Sequence, residues 1–199
     1  MSAGNYKDRR KPRESGKGER DLHDNDLELL RRARMGEEGA FHELVDRYSG
    51  TLFRLAFLLV GNEADAEDVV QETLLGAFRG LGRFRGESSV KTWLTAILVK
   101  RAQAHRRARS RGRTSPLKEA GESQGRMPNS PVQQADARMD VQAVLAALSA
   151  EHRQVLVLRE YEGMSYDEIA RALDMPRGTV ESRLFRAREH LRRLLKGYG

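Results

Sequence analysis

The sequence contains no cysteine, so neither a disulfide nor a thiolate metal or redox centre can form within it. Long apolar runs are also missing. The longest uninterrupted one, Leu55 to Val60, is far too short to span a bilayer, and the polar N-terminus carries no apolar signal-peptide core. No membrane insertion is expected, and a cytoplasmic location follows as the expectation. The five histidines, His23, His42, His105, His152 and His190, are scattered rather than clustered, so no metal or cofactor is expected. Tryptophan occurs once, at Trp93; a lone Trp in a small domain is expected to be at least partly core.

What the chain has in excess is positive charge. Thirty-six Lys and Arg oppose 29 Asp and Glu, giving +7 at pH 7 and a pI near 10.0, which favours a polyanionic partner. The charge is unevenly placed: acids gather around residues 63–72, cations at 7–20, 100–113 and 177–196. Different segments therefore meet different partners.

Apolar periodicity divides the chain into four stretches. Residues 1–22 are basic and too poor in apolar side chains to fold, so they are expected to form a disordered tail. Residues 23–108 read as one helical domain, its first helix capped by Asp24 or Asp26 and its second pattern running from Phe41 to Leu59 across Gly50. Residues 109–137, rich in Pro, Gly and Ser, read as a flexible linker. Helices resume over 138–199, with Val141, Val144, Leu145 and Leu148 inward. The fold class expected is all-α: two small helical domains on a flexible linker, the second containing a helix-turn-helix.

The most informative stretch of the first domain runs from Gly61 to His105. On a helix, Ala66, Val69, Val70, Thr73, Leu74, Ala77 and Phe78 share one side, while Asp65, Asp68, Glu72 and Leu75 share the other. An outward Leu among carboxylates suits docking of a basic partner helix; acids also suit the exposed N–H groups of any solvated helix start. Arg83, Phe84, Arg85, Gly86, Glu87, Ser88 and Ser89 then lead into a helix carrying Lys91, Trp93, Lys100 and Arg101. Cations interleaved with aromatics suit opened nucleic acid, because cations track phosphates while rings receive unstacked bases.

In the second domain Ser165 and Glu168 have capping-box spacing, and Asp174-Met175-Pro176 forms a tight turn into another helix, which is a helix-turn-helix pattern. On the second of those helices Val180, Leu184, Ala187 and Leu191 face inward. Ser182, Phe185 and Arg186 face outward, where Phe185 can meet a thymine methyl and the others can reach base edges or phosphates.

DAEDVVQETLLGAFR, FRGES and TWL, followed by SYDEIARAL and GTVESRLFRAREHL, closely resemble the extracytoplasmic-function (ECF) group of bacterial RNA polymerase sigma factors, in the sigma-70 family. The resemblance implies that Asp65, Asp68, Gln71, Glu72 and Leu75 bind the clamp helices of the polymerase β′ subunit. It implies that Arg83, Phe84, Arg85, Glu87, Ser88, Ser89, Lys91, Trp93, Lys100 and Arg101 recognise and open the minus-10 element of promoter DNA. Arg177, Thr179, Glu181, Ser182, Arg183, Phe185 and Arg186 would read the minus-35 element. The second domain would also touch the polymerase β flap, and an anti-sigma factor is a further partner implied. No covalent chemistry is implied. Val90, Lys100 and Glu181 depart from common family choices: Phe, Asn and a basic residue, respectively.

Two other classes account for parts of the chain. A stand-alone helix-turn-helix regulator explains 138–196 and leaves the acidic face and the aromatic-basic loop without a role. A metal-dependent hydrolase built on Asp65, Glu67, Asp68 and Glu72 is geometrically awkward, since Glu67 points away from Asp68 and Glu72 and no His joins the cluster.

Overall fold

The computed structural model describes residues 16–112 and 141–196, with side chains from residue 24 onwards, and its regular elements there are all helical. In the first domain α1 spans Gly16–Arg34, α2 Glu38–Val60, α3 Glu63–Gly80 and α4 Val90–Gly112, with a 3₁₀ turn at Leu81–Arg83 between α3 and α4. In the second, α5 spans Val141–Ala146, α6 Ala150–Leu156 running on into a π turn at Val157–Tyr161, α7 Tyr166–Leu173 and α8 Arg177–Lys196. Among the described residues there is no strand, and no helix is long and apolar enough to cross a membrane.

The helix boundaries follow local chemistry. Gly61 takes φ +88°, ending α2 in the left-handed conformation that glycine adopts without a Cβ penalty. Asn62 then caps α3, its side-chain oxygen accepting the Asp65 N–H at 2.9 Å. Ser149 caps α6 in the same way. At α7 the capping box forms in both directions between Ser165 and Glu168.

The first core gathers Leu29 and Leu30 of α1, Leu44, Leu52 and Leu55 of α2, Val69 of α3 and Leu94 and Leu98 of α4. The helix-turn-helix core is formed by Val155, Leu158, Ile169, Val180 and Leu184.

Four expectations need correction. Helix α1 takes in residues 16–22 of the stretch expected as a tail, because a helix anchored by Leu29 and Leu30 propagates backwards at low cost per residue, and residues 1–15 lie outside the described residues. Asp26 is therefore no cap. It is buried and accepts hydrogen bonds from the Arg47 guanidinium and the Tyr48 hydroxyl, which tie α1 to α2. Burial first, then the Asp26 carboxylate, raise the Tyr48 pKa above its ordinary value. Helix α4 runs past Ala108 to Gly112, and the rest of the expected linker lies outside the described residues. Val141, expected inward, is 61% exposed at the start of α5.

Candidate nucleic-acid interface

Helix α3 presents two faces. Ala66, Val69, Val70, Thr73 and Ala77 are buried, while Asp68, Gln71 and Glu72 are exposed and Leu75 is 48% exposed beside them. Phe78 corrects the sequence reading: it is exposed, its ring resting edge-on against Phe41 at 5.1 Å. Asp65 stands apart from its neighbours. Its carboxylate lies 3.1 Å from His105 Nε2 and pairs with Arg109. Burial raises its pKa, but the Asn62 hydrogen bond, Arg109 and His105 outweigh that and hold it below the ordinary carboxylate value. Asp65 thus joins α3 to the end of α4, and only Asp68, Gln71, Glu72 and Leu75 form an open surface.

The loop between α3 and α4 displays Arg83, Arg85 and Glu87, turns through Gly86 at φ +74°, and leaves Ser88 and Ser89 half-buried. Ser89 caps α4 by accepting the Thr92 N–H at 3.0 Å. Phe84 is 8% exposed and packs against Trp93 with ring centroids 5.0 Å apart, so its ring supports the loop from beneath instead of facing a base. Trp93 is half-buried, as a lone Trp is expected to be. Val90 is fully buried at the start of α4. Lys100 is exposed, whereas Arg101 leans over α3, 3.9 Å from Glu72.

In the second domain α7 and α8 form the helix-turn-helix, with Asp174 in the left-handed conformation (φ 51°) at the turn. Outward on α8 stand Glu181, Ser182, Arg186 and Phe185, the last 67% exposed. Thr179 and Arg183 are half-buried, and Arg183 pairs with Glu151 at 3.1 Å. Arg177 spans both helices. Its guanidinium donates to both carboxylate oxygens of Asp167 on α7, at 3.1 and 3.0 Å, and to Glu181 one turn on, at 3.0 Å. No group of three or more His, Asp or Glu converges as a metal-ligand set among the described residues.

Two family descriptions match the chain, Sigma-70 region 2 over residues 44–112 and Sigma-70 region 4 over residues 138–191. RNA polymerase sigma-H factor of Pseudomonas aeruginosa is 33% identical over 185 residues, 87% of this chain and 95% of the relative. The chain belongs to the sigma-70 family, in its ECF group. The ECF RNA polymerase sigma-E factor of Escherichia coli K12 is 36% identical over 82% of this sigma factor and 91% of its own length. Among solved structures, CnrH in complex with the cytosolic domain of CnrY aligns with TM-score 0.63 and 28% identity, covering 88% of this chain and 99% of that one. The sigma factor RpoE in complex with the anti-sigma factor NepR, from Bartonella quintana, aligns with TM-score 0.61 and 29% identity, covering 78% and 96%. The protein is an alternative sigma factor directing promoter-specific transcription, and a stand-alone regulator is not favoured, because both sigma regions occur in one chain.

The two domains of this sigma factor pack on each other through α4. Val99 points away from the first core into the helix-turn-helix core, with Ala96 and Leu59 beside it. Polar contacts frame this wedge: Lys91 meets Glu162 at 2.9 Å, Gln103 donates to Gln154 at 3.0 Å, and Arg54 donates to the Tyr161 hydroxyl at 3.2 Å. The Glu162 side chain is only 2% exposed, so Lys91 is committed to neutralising it in this arrangement. No periodicity marks Glu162, Gln154 or Arg34, and none was singled out by sequence: each works through a partner distant in the chain.

Proposed function

We propose that this sigma factor docks on the β′ clamp helices of core RNA polymerase through Asp68, Gln71, Glu72 and Leu75. Promoter opening at the minus-10 element then uses Arg83, Arg85, Glu87, Ser88, Ser89, Lys91, Lys100 and Arg101, with Trp93 and Phe84 shaping the surface from below. The minus-35 duplex is read by α8 through Ser182, Phe185 and Arg186, with Arg177, Thr179, Glu181 and Arg183 around them, and the same domain touches the β flap. The observation that carries the reading is the outward face of α3, where exposed carboxylates surround an exposed leucine that the fold does not use. A duplex element suits a helix in the major groove, whereas opened strands need a cationic surface with a fixed shape. Because Lys91 is held by Glu162, its contact with DNA requires the domains to part. A protein that covers both domains, as an anti-sigma factor, is the regulator proposed.

Run-off transcription from an ECF-type promoter with purified core polymerase tests this: transcripts are expected only when the protein is added. Binding of promoter duplex with sequence preference but without core, and no core-dependent transcript, would instead support the stand-alone regulator.

Glu181 has a defined part in this scheme. It and Asp167 are exposed and occupy the donors of Arg177, and exposed ion pairs are weak enough for a phosphate to displace. Glu181→Gln is expected to tighten minus-35 duplex binding and steepen the slope of log K against log salt by up to about 1, because it removes one of the two carboxylates that compete with phosphate for Arg177 and leaves only Asp167. An unchanged slope in a salt titration would show that neither residue faces the phosphates.

A further inference from the structure

The loop that follows α3 has to satisfy two opposed demands. Its cations must stay exposed for phosphate, yet its backbone must hold one shape if it is to discriminate an unstacked base. Regular secondary structure fixes only part of it, since the 3₁₀ turn ends at Arg83 and α4 begins at Val90. Within the turn the Phe84 N–H reaches the Leu81 carbonyl at a long 3.4 Å.

A residue from the other end of the domain supplies what is missing. Arg34, in the last turn of α1, donates from Nε to the Leu81 carbonyl at 2.7 Å and from Nη2 to the Phe84 carbonyl. These two carbonyls bracket the exposed Arg83, and Arg85 follows directly. The planar fork of a guanidinium can hold two carbonyls at once; a lysine ammonium is a point donor on a flexible stem and cannot reproduce that geometry. The Phe84 ring is in turn seated beside Trp93. Helix α1 is itself anchored by Asp26 to Arg47 and Tyr48, so the fork stands on a rigid base.

We propose that Arg34 is a positioning residue for minus-10 recognition: its guanidinium, forked across the Leu81 and Phe84 carbonyls, holds the loop carrying Arg83 and Arg85 in the shape that receives the opened strand. This rests on the minus-10 reading of residues 83–89 given above. Arg34 touches no DNA; it acts through the loop backbone. Misplacing that loop by about an ångström is enough for a loss of tenfold to a hundredfold.

The test uses the full chain with core polymerase and compares Arg34→Gln, Arg34→Lys and the double variant Arg83→Ala plus Arg85→Ala. Open-complex formation is followed by permanganate reactivity of unpaired thymines, and base preference by competition among premelted promoters differing in the minus-10 element. Core binding and minus-35 duplex binding are measured alongside. For Arg34→Gln, opening is expected to slow by about tenfold or more and base preference to flatten, while core and minus-35 binding stay within about twofold. Arg34→Lys, which keeps the charge, is expected to recover only a minor part. Wild-type opening and preference in Arg34→Gln would overturn the proposal. So would a matching loss of core binding, which would make Arg34 a support of the domain as a whole, or full rescue by Arg34→Lys, which would reduce its role to charge. If the Arg83 and Arg85 double variant opened promoters normally, the minus-10 reading of the loop would fall first, whatever Arg34 did.

Discussion

Asp68→Arg combined with Glu72→Arg is expected to abolish transcription directed by this sigma factor, lowering run-off product by about a hundredfold or more, because like charges brought face to face cost several kcal/mol. Both carboxylates are exposed on α3, and the distance of 3.9 Å from Glu72 to Arg101 leaves that side chain only loosely engaged, so the reversal meets solvent in the free protein. Asp65 is unsuited to the same reversal. Its carboxylate is 16% exposed and holds His105 and Arg109, so reversing it would damage the joint between α3 and α4 as well as any docking surface. The thermal midpoint and the minus-35 duplex affinity of the double variant should match wild type, which places the loss at the polymerase. Wild-type run-off from the double variant would remove α3 from the docking surface altogether.

The second large effect concerns the contact between domains. Val99→Asp is expected to separate them. Val99 is fully buried, yet its neighbours in that burial are Val155, Leu158 and Ile169 of the second domain, while Leu94 and Leu98 on the same helix serve the first core. Burying an unpaired carboxylate costs several kcal/mol, which is set against the apolar burial of Val99, Ala96 and Leu59 on the second domain, so the contact is expected to open. Helicity by circular dichroism should be retained and the radius of gyration from small-angle scattering should rise. An unchanged radius would show that the contact withstands the charge, and a loss of helicity would show that Val99 belongs to the fold of one domain. Since Glu162 depends on Lys91 for neutralisation, opening also releases Lys91 towards the surface proposed for DNA.

Much of this arrangement is legible without coordinates, because a helix writes itself into apolar spacing and into local caps. Gly61 with Asn62 and Ser165 with Glu168 each act within a few residues, so their effect on the chain direction can be read along it. The outward position of Leu75 and Phe185 followed from the same periodicity, and both are exposed. Periodicity misplaced Phe78, and the reading of interleaved aromatics misplaced the Phe84 ring, for one reason: at a helix end or in a loop, which side is inside depends on what packs there. Phe78 lies against Phe41 at the surface, and Phe84 lies beneath its loop on Trp93.

The sequence by itself thus determined an all-α chain in two helical domains, a helix-turn-helix in the second, and an acidic helix followed by a basic loop in the first, since all of these rest on contacts between residues near in the chain. Tertiary structure alone decided which charged groups are free. It buried Asp26 under Arg47 and Tyr48, tied Asp65 to Arg109, drew Lys91 to Glu162 and placed Arg34 on the Leu81 and Phe84 carbonyls. Asp26 lies 21 residues from Arg47, Asp65 44 from Arg109, and Arg34 47 and 50 from its two carbonyls. A charge carries no periodic signature of its partner, and only packing brings the partner within reach.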